Sequence, residues 1–252
     1  MGRVRVLVRN WALGFFCPRP LVNLLYLPRF FRHWLMYAAK ARGQEVPILD
    51  SHPCLGDWSL QTPFDPHYFY QGAWLARKLS NARPVRHVDI GSSVLTVSVL
   101  SATVSTVFVD YRPLKVALAG LDSVAGDILQ LPFANDSIAS LSCLHVMEHI
   151  GLGRYGDPID PEGTAKAAVE LERVVRPGGR LYISVPIGWE RVCFNAHRVH
   201  APESLPTMFS RLKLVEFSYV DDSGRLKEDQ SLSAADNLDY GCGLYVFEKR
   251  FT

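Results

Sequence analysis

Three short apolar segments, each closing on an aspartate, constrain the fold of this chain more than any other feature. Val85 to Ile90 carries Asp89 just before Gly91, Val104 to Asp110 ends on its acid, and a segment near Ser123 to Gly126 runs out at Asp127. A fourth apolar run opens the stretch ASLSCLHVMEHIGLGRYGD, Ala139 to Asp157, and leads through His145 into Glu148 and His149 before breaking at Gly151 and Gly153. Segments this short and this apolar, bounded by glycine and acid, read as buried strands. Between them lie helix-length stretches, so the alternation predicts a mainly parallel sheet covered on both faces. Open sheets of that kind bind ligands outside the carboxyl ends of their strands, where these acids and the His/Glu cluster fall together.

The helices announce themselves by their caps. Asp65-Pro66 is an N-cap followed by proline at the first helical position, and the helix is expected to reach Asn81 with Tyr68, Trp74, Leu75 and Leu79 facing inward. Ser93 to Ala102 is a second helix, and Asp160-Pro161 opens a third over Glu162 to Val175, stopped by Pro177-Gly178-Gly179. Arg180 to Pro186 is a fifth strand, Pro202 starts a further helix, and Leu212 to Val220 with Gly243 to Phe251 form a last antiparallel pair at one edge. Residues 43 to 64 are polar and broken by Pro47, Pro53 and Pro63. The expected domains are therefore a basic aromatic N-terminal helical extension and linker over 1–64, and one α/β domain over 65–252.

Charge narrows the partners. The net charge is +2, which gives no reason to expect nucleic acid. It is uneven, however: residues 1–44 hold no acid, against Arg3, Arg5, Arg9, Arg19, Arg29, Arg32, Lys40 and Arg42. The apolar run Trp11 to Cys17 is short, is followed by Pro18 and Pro20, and lacks a small-residue cleavage site, so it does not read as a signal peptide. After Pro28, Phe30, Phe31, Trp34, Leu35 and Ala38 recur at helical spacing. Such a helix docks on its own domain or on a second subunit, giving a homo-oligomer; the alternative is contact of residues 1–42 with an anionic membrane surface. The five cysteines, Cys17, Cys54, Cys143, Cys193 and Cys242, form no CxxC pair. Scattered, odd-numbered thiols fit a reducing compartment, so the expected location is cytoplasmic, at most peripheral at the inner face of a membrane.

VDIGSS, Val88 to Ser93, places a carboxylate and a glycine at a strand-to-helix turn, where backbone can approach a ligand and helix N–H groups are free. Asp110, about 20 residues on, stands where a carboxylate accepts ribose hydroxyls. Asp127 then meets an adenine amino group. The order VDIGSS, FVDYRPL, AGDILQLPFANDSIASLSCLHVMEHI and RVVRPGGRLYISVPIG resembles the class I S-adenosylmethionine-dependent methyltransferases over about residues 84–190. Residues 60–200, with TPFDPHYFYQ, GLGRYGDPIDP and FNAHRVH, look closer still to a bacterial group of methyltransferase-like proteins without assigned substrates.

The resemblance implies a Rossmann-like sheet of seven mainly parallel strands with an antiparallel last strand and helices on both faces. It implies S-adenosylmethionine as cofactor. Asp89 and Gly91 would contact the methionine part, Asp110 the ribose, and Asp127 with Ile128 the adenine, with Ser92, Tyr111 and His145 among the cofactor contacts. One departure stands out: Ser93 and Leu95 occupy the usual second and third glycine positions of the first loop.

HVMEH also matches the HxxEH pattern of inverted zinc peptidases, but the entering strand and the following glycines leave no long helix to carry it. Some methyltransferases of this class hold a divalent metal with an ExxEH motif at this point. By that resemblance Glu148 and His149 with His197 or His200 are candidate ligands, and a metal there would hold two neighbouring hydroxyls of a sugar or other vicinal diol and lower the pKa of one. Without a metal, His149 or His197 is the candidate general base. Arg154, Tyr155 and Asp157, in the loop that follows, are candidate contacts to a small-molecule or glycan acceptor. The expected activity is methyl transfer to oxygen. The alternative is a non-catalytic member that uses the fold for binding or assembly; an NAD enzyme is disfavoured because VDIGSS lacks the GxGxxG glycines.

Overall fold

The computed structural model describes residues 23–42 and 45–251. The readings of Arg3, Arg5, Arg9, Arg19 and the Trp11–Cys17 run lie outside the described residues. The described residues fall into two compact units that part between Phe64 and Asp65.

In the first unit, helix α1 (Leu27–Lys40) starts with Pro28 in its first turn. Phe30, Trp34 and Ala38 form a half-buried stripe, whereas Phe31 and Leu35, expected on the same side, are exposed. Trp34 Nε1 donates to Val46 O at 3.2 Å, and the Arg29 guanidinium lies over the Trp58 ring at 4.4 Å while donating to Leu55 O. No helix among the described residues is long and apolar enough to cross a membrane.

The second unit opens with α2 (Pro66–Ala82), whose N-cap Asp65 accepts from His67 N and Tyr68 N. Then come β1 (Arg86–Ile90), α3 (Val94–Leu100), β2 (Ser105–Asp110), β3 (Leu121–Ala125) and β4 (Ile138–Leu144). A single 3₁₀ turn, Met147–His149, follows β4. After α4 (Gly163–Val174), the chain forms β5 (Val175–Ile187), β6 (Arg191–Cys193), β7 (His197–Val199), α5 (Ser204–Thr207), β8 (Leu212–Val220), β9 (Leu226–Lys227) and β10 (Gly241–Lys249).

The eight-stranded sheet runs β3-β2-β1-β4-β5-β10-β8-β9, and β6 pairs with β7 in a separate ribbon. β1 to β5 are mutually parallel, and β10 runs antiparallel between β5 and β8. Within this sheet the two-residue β9 is the one strand beyond the seven expected, and the β6-β7 ribbon is a further addition. Because β1 lies between β2 and β4, the direction of winding reverses there, and the carboxyl ends of these strands bound the crevice of a doubly wound sheet.

Burial follows from this layering. The interior strands read as nearly continuous buried runs, as in β1 and β4, because both faces are covered. One face packs against α4, whose Ala167, Ala168, Leu171 and Val174 are fully buried at helical spacing. The other receives Trp74, Leu75 and Leu79 of α2. Tyr68, expected inward with them, is 47% exposed. Two further boundaries moved. Helix α4 ends at Val174, and Pro177-Gly178-Gly179 forms a bulge inside β5, where pairing with β4 jumps from Val175 to Arg180. The helix expected after Pro202 is a single turn.

Candidate active site at the strand ends

The β1 turn is built around Asp89, whose carboxylate is fully buried. Its Oδ1 accepts from Ser92 N at 3.0 Å, and its Oδ2 accepts from the Ser142 hydroxyl on β4. The Ser142 oxygen in turn meets His87 Nε2 at 2.8 Å, and His87 Nδ1 meets Ser140 Oγ at 2.8 Å. Burial pushes Asp89 up to about 6, against the hydrogen bonds from Ser142 and Ser92. Burial also drives His87 down to about 3, so it is a neutral imidazole. Both oxygens of Asp89 are thus engaged inside the sheet. This side chain shapes the Gly91 loop, at which the methionine moiety is expected. Ser92 is likewise structural, its hydroxyl accepting from Leu144 N at 3.1 Å.

Gly91 adopts φ +62, and a Cβ there would lie 3.3 Å from Val146 and 3.5 Å from Asp110 Oδ2. Asp110 therefore hangs over the Gly91 loop as its neighbour on β2, with Oδ1 accepting from Arg112 N at 2.7 Å. Asp127 is exposed one strand further out, its Oδ1 accepting from Leu129 N at 2.8 Å. Each of these two keeps Oδ2 without a hydrogen bond among the described residues. Tyr111 is 77% exposed beside Asp110, but Ile128 is a core residue and has only its backbone to offer a ligand. Leu95, in the third glycine position, is 76% exposed and its side chain does not fill the turn.

At the end of β4, His145 sits at φ +53. Both its ring nitrogens are engaged, Nδ1 with Glu148 Oε1 at 2.9 Å and Nε2 with Cys242 Sγ at 3.3 Å. Burial opposes its charge, yet Cys242 and Glu148 outweigh burial and push the imidazole up to about 10. Glu148 is fully buried, and although burial works against its ionisation, His145 and His149 hold it below the ordinary carboxylate range. Its Oε2 has no hydrogen-bond partner.

His149 points the other way. Its Nδ1 donates to Ala196 O at 2.6 Å, which makes Nε2 the basic nitrogen of the neutral ring, and Nε2 lies 3.7 Å from Glu148 Oε1. Arg154 donates to the same carbonyl, and its guanidinium lies 5.1 Å from the centre of the Tyr155 ring. Arg112, beside Asp110, covers Tyr155 at 5.5 Å, so this tyrosine joins the β2 end to the β4 end. Rings then follow one another in an arc. Tyr155 meets His149 at 5.7 Å, His149 meets His197 at 6.4 Å, and His197 meets Tyr240 at 5.3 Å. Tyr240 meets His67 at 5.4 Å, His67 meets His145 at 5.8 Å, and His145 meets Tyr68 at 5.4 Å. Burial, with the neighbouring His149, lowers His197.

Of the predicted acceptor contacts, Arg154 and Tyr155 line this arc. Asp157 does not: its carboxylate accepts from Gly151 N, Gly153 N and Tyr155 N, closing the loop on itself. The predicted metal ligands are only partly brought together. Glu148, His149 and His197 share the cluster, while His200 is buried beside Ile187 with Nε2 unpartnered. Among the described residues the one group with three donor atoms within 4.8 Å of one another is His67, His145 and Cys242. Sequence reasoning missed His67, Tyr68, Tyr240, Cys242 and Arg198. The last is a buried guanidinium that donates to Ile150 O (2.6 Å), Thr164 Oγ1 (3.0 Å), Asp160 O and Pro161 O (3.3 Å each), clamping the loop over the site.

Solved structures share this architecture. A candidate sarcosine dimethylglycine methyltransferase of Galdieria sulphuraria matches with TM-score 0.53 and 13% identity, over 72% of this chain and 85% of its own. YcgJ of Bacillus subtilis matches with TM-score 0.52 and 14% identity, over 73% and 100%. The cyclase SpnF matches with TM-score 0.51 and 14% identity, over 71% and 82%. The fold is that of the class I methyltransferases, and identities this low establish the fold alone. The family model described as "Caenorhabditis protein of unknown function, DUF268" matches residues 91–238, and the chain belongs to that family. A comparison with curated proteins returns no match.

Proposed function

We propose that the chain is an S-adenosylmethionine-dependent methyltransferase that methylates a hydroxyl oxygen of its acceptor. The observation that carries this reading is His149: Nδ1 is tied to Ala196 O, which leaves Nε2 as the basic nitrogen, 3.7 Å from the buried Glu148 carboxylate. Bound S-adenosylmethionine would supply a methyl group activated on sulfonium. Gly91 leaves room for it, and the Oδ2 atoms of Asp110 and Asp127 are acceptors for ribose hydroxyls and an adenine amine. His149 Nε2 takes the proton of the acceptor hydroxyl, and Glu148 stabilises the imidazolium that forms. Tyr155, Arg154, His197 and Tyr240 hold the acceptor by stacking and hydrogen bonds, so alignment does much of the work. A metal held by Glu148 and His149 with His197 or His200 forms no part of this reading, since among the described residues the three donor atoms within 4.8 Å of one another are those of His67, His145 and Cys242.

Two features favour a non-catalytic member as the second reading: Asp89 faces inward, and Ser93 and Leu95 replace loop glycines. SpnF, of the same fold, is named as a cyclase. Calorimetric titration with S-adenosylhomocysteine separates the two. Binding supports methyl transfer, and purified protein is then screened with labelled methyl donor against nucleotide sugars and glycolipid precursors. Absence of binding refutes the first reading.

A further inference from the structure

We propose that His67, His145 and Cys242 bind a thiophilic transition-metal ion, with Zn²⁺ as the reference case. The three donors come from three elements distant in sequence, the first turn of α2, the end of β4 and the start of β10. One donor atom from each lies within 4.8 Å of the other two. His145 Nε2 already stands 3.3 Å from Cys242 Sγ. Ligand distances of about 2.0–2.3 Å at a tetrahedral ion place donor atoms roughly 3.3–3.6 Å apart, so small rotations of His67 complete the set.

The surroundings are those of a metal ligand. Glu148 Oε1 accepts from His145 Nδ1 at 2.9 Å, which holds the ring with Nε2 toward Cys242, where a metal ion would displace the proton between them. Carboxylate-backed histidines of this kind are the usual second layer of zinc sites. Charge balances as well. Glu148 is fully buried with Oε2 unpartnered, a costly state for a carboxylate. A divalent ion, one thiolate and one carboxylate sum to zero, the metal taking the place of the proton between His145 and Cys242. His145 holds a left-handed backbone, φ +53, that costs about 1–2 kcal/mol in a non-glycine residue. That conformation is what aims the ring at β10. Two imidazoles and a thiolate select zinc, cobalt, copper or iron over magnesium. Three protein ligands leave a fourth position open. The site stands whether or not the chain transfers methyl groups.

The test is cobalt substitution of the full chain after dialysis against chelator. The expected result is one Co²⁺ per chain, with visible bands of tetrahedral intensity and a thiolate-to-cobalt charge-transfer band in the near ultraviolet. Cys242→Ser abolishes the charge-transfer band. His67→Ala weakens binding by at least about 100-fold, beyond the usual loss for a second-layer partner. His149→Ala leaves cobalt affinity unchanged. Circular dichroism of each variant checks folding. Lack of a stoichiometric cobalt complex, or a spectrum indifferent to both Cys242→Ser and His67→Ala, overturns the proposal. Since no methyl donor is present, neither outcome depends on the enzymatic reading.

Discussion

Replacing Asp89 by asparagine should make the protein more stable at neutral pH and change little at acid pH. Burial holds the Asp89 carboxyl at about 6, against an ordinary value of 3.8. Between those values the folded chain keeps a proton that the unfolded chain has released. The contribution of this group is therefore complete below about pH 4 and is lost as pH rises through about 6. The lost stability is about 3 kcal/mol, the shift of roughly two units at about 1.4 kcal/mol each. Asparagine carries no such proton. The difference in unfolding free energy between Asp89→Asn and the native chain should thus move by about 3 kcal/mol in favour of the variant between about pH 4 and pH 7, in urea titrations at matched ionic strength.

The same substitution reverses a hydrogen-bond chain without moving a heavy atom. In the native chain Ser142 donates to Asp89, so it accepts from His87 Nε2–H, and His87 Nδ1 accepts from Ser140. An asparagine Nδ2 donates to Ser142, which then donates to His87 Nε2, and the imidazole proton moves to Nδ1. Nitrogen NMR of His87 reads the tautomer directly. A stability difference that stays flat across the pH range, together with an unchanged tautomer, would refute both the burial and the direction assigned to this chain.

Other residues give sharp outcomes. Arg198→Met removes the guanidinium that joins Ile150, Thr164, Asp160 and Pro161, and should cost about 2–3 kcal/mol in urea unfolding, with faster amide exchange across 150–161. Asp110→Asn should weaken S-adenosylhomocysteine binding by about 10-fold or more in calorimetry and leave the melting temperature within a degree or two, because the side chain is partly open to solvent. Leu171→Ala, in the fully buried face of α4, should cost about 2–5 kcal/mol without altering ligand affinity.

Local chemistry made much of this fold legible. Asp65-Pro66 marks the start of α2 because a side-chain cap and a fixed proline φ act within three residues. The strands β1, β2 and β8 are readable from apolar runs for the same reason. What escaped notice depends on partners far along the chain. Asp89 turns inward because Ser142, 53 residues on, donates to it. Asp157 closes its own loop, and Ile128 enters the core, where a strand-end motif alone suggests contact with a ligand. Cys242 lies 97 residues from His145, and nothing in TyrGlyCys at a strand start signals that meeting.

Glu148 is where the two halves of the site are coupled, and it yields the most discriminating variant. The left-handed backbone at His145 and the 3₁₀ turn after it send His145 toward Cys242 and His149 toward Ala196, with Glu148 between them at 2.9 and 3.7 Å. Glu148→Gln keeps the volume and one acceptor but removes the charge that serves both imidazoles. It should therefore lower cobalt affinity by about 10–100-fold, as loss of a second-layer carboxylate does, and also slow methyl transfer. His149→Ala should affect transfer alone and His67→Ala cobalt alone. If Glu148→Gln changed only one of the two readouts, the carboxylate would belong to a single site, and the shared electrostatic role assigned to it would be wrong.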